Sequence, residues 1–172
     1  MVALAVLTGC GEADRDNKQV AGNEVAAALA RVEVRPGLWE ARTEVVSVSQ
    51  EALPHEIAER MKGPRPTVRH CITREQAARP DASFLAARRS GRCSDEAFEM
   101  RAGRITATTV CRGEAAVETR LRTTGRYSAE RYEMRIEIET PGIEPGRTMT
   151  LVTHRSGRRI GDCPEAGGET SK

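Results

Sequence analysis

The chain has 172 residues and a mass of 18.8 kDa, with 38% hydrophobic, 30% charged and 3% aromatic residues and a net charge of +2. That balance excludes a polybasic nucleic-acid tail and an acidic low-complexity protein. Two Phe, two Tyr and one Trp leave few surfaces on which bases or sugars stack, and no nucleic-acid partner is expected.

The first ten residues, MVALAVLTGC, are apolar up to Gly9 and end in a cysteine. The run is shorter than the ~18 apolar residues of a spanning helix and matches the end of a secretory signal. Leu7-Thr8-Gly9-Cys10 resembles the bacterial lipobox, whose cysteine receives a diacylglyceryl group after cleavage. Cys10 is therefore expected to be a lipid anchor holding the protein to a membrane. Gly11 directly after it resembles the sorting pattern for the outer membrane. Residues 11–33 are polar enough to read as a tether, residues 34–164 as a single domain, and residues 165–172 as a disordered tail.

Within the domain the dominant signal is alternation with period two, the mark of strands with one buried face. Leu38 to Ser49 sets Trp39, Ala41, Thr43 and Val45 on one side, with Trp39 expected in the core. Glu51 to Lys62 has Leu53, Ile57, Ala58 and Met61 at helical spacing, and Gly63-Pro64 ends it. Thr73 and Gln76 form a capping-box pattern opening a short helix through Ala78, and Asp81 to Arg89 suggests another helical turn.

Ala97 to Met100 and Arg104 to Cys111 straddle Gly103 as a hairpin. The next run places Ala115, Val117, Thr119 and Leu121 opposite Glu118, Arg120 and Arg122. Gly125 to Ala129 reads as a turn into Glu130 to Glu139, where Tyr132, Met134, Ile136 and Ile138 oppose Arg131, Glu133, Arg135, Glu137 and Glu139. The outer faces then set arginines near glutamates across strands. Pro141-Gly142 and Pro145-Gly146 mark a longer loop. Thr148 to His154 and Arg158 to Gly161 read as a last hairpin around Ser156-Gly157. The expected fold is mainly β: an antiparallel meander, or a small barrel-like sheet, with short helices in its connections.

With Cys10 assigned to lipid, Cys71, Cys93, Cys111 and Cys163 form an even set, which in an exported chain reads as two disulfides with three possible connectivities. Spacings of 22, 18 and 52 contain no C-x-x-C pair, so a zinc site is disfavoured. Cys93 and Cys111 flank neighbouring strands and are paired with each other, which leaves Cys71 for Cys163.

The charges are uneven along the chain. Residues 1–59 carry 5 basic and 10 acidic side chains, whereas residues 60–112 carry 12 and 5. A basic middle suits an anionic surface such as phosphate-bearing lipid, although arginine also serves generally as a surface residue here. His55-Glu56-Ile57-Ala58-Glu59 approaches the zinc-protease pattern, but Glu59 stands where the second imidazole belongs. His70 and His154 have no nucleophile nearby in sequence, and no phosphate-cradling or dinucleotide motif occurs. No metal, cofactor or catalytic residue is expected.

Pro36-Gly37-Leu38-Trp39-Glu40, the cysteines at 71, 93 and 111 and the closing Gly161-Asp162-Cys163 together resemble the domain-of-unknown-function 3617 family of small exported bacterial proteins. The resemblance spans about residues 34–164 and implies an exported, disulfide-containing globular domain without an assigned activity. The leading expectation is a periplasmic or cell-envelope lipoprotein, monomeric, that binds an envelope partner or an apolar ligand rather than performing catalysis. Val117, Leu121, Met134, Ile136 and Ile138 are the candidate lining of an apolar cavity. The alternative is an envelope hydrolase, which requires His55, His70 or His154 to converge with a carboxylate in a cleft.

Overall fold

The computed structural model describes residues 24–25, 27–49, 53–78, 92–113, 117–142 and 146–164. Cys10, most of the expected tether, the expected turn over 81–89 and the tail 165–172 lie outside the described residues. Eight strands form one antiparallel sheet. They are β1 (Gly37–Val48), β2 (Gly63–Pro64), β3 (Val68–Ile72), β4 (Arg92–Arg101), β5 (Arg104–Arg112), β6 (Glu118–Tyr127), β7 (Arg131–Pro141) and β8 (Thr148–Gly161). The order is β2-β1-β8-β7-β6-β5-β4, with β3 also paired to β1. Strands β4 to β8 are a meander, and the first strand returns to lie beside the last. The sheet is open, so the barrel alternative is set aside.

One face of the sheet is apolar. Trp39, Ile72, Met100, Ile105, Tyr132 and Met134 form a single buried cluster with Val25, Leu29, Val32 and Val34. Met100 and Ile105 come from β4 and β5, far from β1 in the strand order, so the sheet curls around the helical residues 24–25 and 27–29. The expected tether over 11–33 is too long, because Val25, Leu29 and Val32 belong to the core. Their apolar side chains sit at i and i+4, a pattern too short to stand out beside the polar run before it.

A second helix, His55–Met61, caps the far end of the same face. Its Ala58, fully buried, packs with Val45 and Val48, and Leu53, Met61 and Leu151 complete the cluster. Strict alternation would turn Val48 away from Val45. The register shift between Val45 and Ser47 inserts an extra residue into β1 and brings Val48 back to the inner face. The helix begins at His55 rather than Glu51, after Pro54. The capping box is formed as expected: Thr73 N–H donates to Gln76 Oε1 at 2.9 Å, and Gln76 N–H donates to Thr73 Oγ1 at 3.2 Å.

Two glycines expected in turns lie within strands. Gly125 lies within β6 opposite Met134, and the tight turn falls later, where Ser128 N–H donates to the Arg131 carbonyl at 2.8 Å. Ser156-Gly157 makes no hairpin, since β8 runs unbroken from Thr148 to Gly161. Gly157 faces the core between Ala41 and Tyr132, and a Cβ there would sit 2.2 Å from Tyr132 Cε1. The missing side chain is what lets the Tyr132 ring lie over β8 and stack on Trp39, with centroids 6.3 Å apart at 15°. By contrast, the β4–β5 hairpin forms at Ala102-Gly103, with φ of 49° and 73°, as a two-residue turn of the primed type.

Trp39 is fully buried, and its indole N–H donates to the Arg35 carbonyl at 3.0 Å. Removing ~200 Å² of indole surface from water, at roughly 25 cal/mol per Å², gives at most about 5 kcal/mol. That exceeds any single polar contact on the sheet and makes this ring the main apolar anchor.

Both disulfides join the expected partners: Cys93 with Cys111, the pair on neighbouring strands, Cα atoms 4.0 Å apart, and the remaining Cys71 with Cys163, 5.5 Å apart. The second closes a separation of 92 residues and the first only 18. Chain entropy therefore predicts that Cys71→Ser with Cys163→Ser costs about 1 kcal/mol more than the other double replacement, a difference that urea unfolding will read. Gly157→Ala should lower stability by about 1–3 kcal/mol, with a shift in Trp39 fluorescence as the ring is displaced. Unchanged stability and emission would contradict the packing of Tyr132 over Gly157.

Candidate binding surface

The residues of the two sequence motifs meet at one end of β1 and β8, and each has a structural task. The Pro36 carbonyl accepts from Arg159 Nε at 2.7 Å. Gly37 has φ 139°, and a Cβ on it would stand 2.4 Å from the Gly161 carbonyl oxygen. Asp162 pairs with Arg159, and Cys163 closes the disulfide to β3. These residues lock the first strand to the last.

Glu40, next to Trp39, points to the opposite face. That outer face is where the charges gather. Register places Glu40 directly between Arg69 of β3 and Arg158 of β8. Its side chain is 6% exposed, and its carboxylate binds three guanidiniums. Arg42 Nη2 donates to Oε1 at 2.9 Å, Arg158 Nη2 to Oε1 at 3.3 Å, and Arg69 to Oε2 through Nη2 and Nε at 3.1 and 3.2 Å. The Arg69 bond leads the causes that hold the Glu40 carboxyl below the ordinary glutamate range. Burial opposes the shift, and Arg42 and Arg158 add to it. The three arginine side chains remain 64–65% exposed.

Two neighbouring grooves cross this face. One, of about 510 Å³, runs along Glu40, Arg158 and Arg131 on one wall and Arg42, Ser156 and Glu133 on the other. The second, of about 630 Å³, includes Arg126, Arg135, His154 and Glu44. Beyond them, Arg122 pairs with Glu137 and Glu139, and Arg120 pairs with Glu96, as the alternation of charge led one to expect.

The histidines do not converge. His154 is opposite Glu44 on the outer face, His70 is opposite Trp39 on the inner face, and His55 begins the capping helix. Partial burial, then the Arg155 guanidinium, lowers the His70 pKa. In the His55 helix, Glu59 is taken by Lys62 at 2.7 Å, and this bond is the main cause of its lowered pKa. Among the described residues no group of three His, Cys, Asp or Glu is placed to hold a metal, and no helix is long and apolar enough to cross a membrane.

The expected apolar lining is divided. Met134 is buried in the core with Ile136 packed on the same cluster, while Val117 is 43% exposed. The arginine grooves were missed because nothing local separates Glu40 from the other alternating glutamates; only strand register brings the three arginines to it.

These features define a class: an open antiparallel sheet with two disulfides, an apolar inner face and an arginine-rich outer one. The chain belongs to the DUF3617 family, proteins of unknown function, whose model matches residues 34–163. No curated protein and no solved structure matches it.

Because the folded-state pKa of Glu40 is depressed, its contribution to stability is complete above the ordinary glutamate value of about 4.5 and is lost as pH falls through the lowered value. Glu40→Gln should thus be less stable than wild type at pH 7, and the gap should narrow in acid below that value. A gap that stays constant from pH 7 to pH 3 in thermal unfolding would rule out the ionised clamp.

Proposed function

We propose that the chain is a bacterial cell-envelope lipoprotein, acylated at Cys10 and held at the outer membrane, whose domain is a non-enzymatic binding module working through the outer grooves. The observation that carries the binding role is the groove beside Glu40, walled by guanidiniums that keep most of their surface in water. The two disulfides support export, since such bonds persist in oxidising compartments. Leu7-Thr8-Gly9-Cys10 supports acylation, and Gly11 supports the outer membrane over the inner.

On this reading the inner face serves stability. Its apolar residues meet one another and the helices, and recognition falls to the polar side.

The anchor is tested by labelling with radioactive palmitate in a bacterium, the chain following an export signal that retains Leu7 to Cys10. Wild type should carry the label and fractionate with the outer membrane, and Cys10→Ala should be unlabelled. An unlabelled wild type that is nevertheless exported overturns the anchor.

A further inference from the structure

We infer that the groove beside Glu40 is a phosphate-binding site, with Arg42, Arg131 and Arg158 as its principal donors. The inference rests on the binding role proposed above and names the ligand's chemistry.

Glu40 supplies one negative charge to three guanidiniums, so Arg42, Arg69 and Arg158 around it carry an excess of two positive charges. The carboxylate holds these side chains toward one point while each keeps N–H groups for another acceptor. Arg131 adds a fourth guanidinium. It is exposed, makes no ion pair among the described residues, and lies directly opposite Arg158 across β7 and β8. Like charges directly opposite across a strand pair are destabilising unless an anion lies between them.

Ser156, on the same face, adds a hydroxyl to the far wall, next to Arg42. The groove's acidic residues limit its reach. Glu130 is paired with Arg35, and Glu133 stands opposite Arg126 at the β6 side. The free positive charge is therefore concentrated at the β1–β8–β7 end. About 510 Å³ accommodates a phosphate with its substituent. Guanidiniums match the oxygens of phosphate in pairs, which is why arginine rather than lysine suits this task.

A phosphate group reaches such a groove either on a lipid headgroup or as a free ion, and the experiment separates the two. Unlipidated full-length chain is mixed with phosphatidylcholine vesicles, with vesicles also containing phosphatidylglycerol, and with inorganic pyrophosphate. Binding is followed by co-sedimentation and by calorimetry. Salt-sensitive binding to the phosphatidylglycerol vesicles alone assigns a headgroup, and binding to pyrophosphate alone assigns a soluble phosphate.

In either case Arg131→Glu should weaken binding about tenfold or more, and Arg158→Lys should weaken it while keeping the charge beside Glu40. Arg74→Glu, an equal charge reversal on the helix after β3, should change nothing. Circular dichroism and Trp39 emission check that each variant folds. Absence of binding in both arms overturns the site, as does an equal loss in Arg74→Glu. Because Cys10 takes no part, these results are independent of the palmitate test.

Discussion

The structure depends on one aromatic contact made across a strand that lacks a side chain. Tyr132 on β7 reaches Trp39 on β1 only because Gly157 on the intervening β8 leaves its face bare. Three strands are thereby joined through side chains as well as through backbone hydrogen bonds. Arg155, two residues along β8 and on the same face, lies with its guanidinium carbon 6.0 Å from the Tyr132 ring centroid. The pairing is costly to bring together, since β1 and β8 are separated by nearly the whole domain and closure entropy must be met before any contact forms. A fully buried indole, a disulfide across 92 residues and the Gly37–Gly161 approach all act at that junction.

What could be read from the sequence was what is local. Alternation located β1 and the strands of the meander, because a half-buried sheet repeats every two residues whatever its neighbours are, whereas the short β2 and β3 carry no such pattern. The Thr73–Gln76 box and the Ala102-Gly103 turn are decided within four residues. The Cys93–Cys111 pair followed from two neighbouring strands, and Cys71–Cys163 from what remained.

The harder positions are those where one residue type has two uses. A glycine after a serine suits a turn and equally suits a strand that another side chain must cross, and only the location of Tyr132 chooses the second at Gly157. The inserted residue in β1 is invisible for the same reason, since Val46 and Val48 look alike until β8 fixes the register. Residues 24–33 follow directly on a polar run that suits a tether, yet Val25, Leu29 and Val32 find a core assembled by strands from far along the chain. Likewise Glu40 is one glutamate among many until β3 and β8 place arginines on both sides.

Trp39 and Glu40 are adjacent, and a strand must send them to opposite faces. The same few residues thus anchor the apolar core on one side and organise the arginines on the other. A buried carboxylate requires compensation, because ionised groups out of water are unfavourable unless paired. One guanidinium supplies a single compensating charge; here there are three, each largely exposed. The excess is not explained by the stability of Glu40 alone. It leaves the outer face positively charged at the point where the core holds the backbone most firmly, and a rigid support is what a binding site needs to keep its donors in place before the ligand arrives.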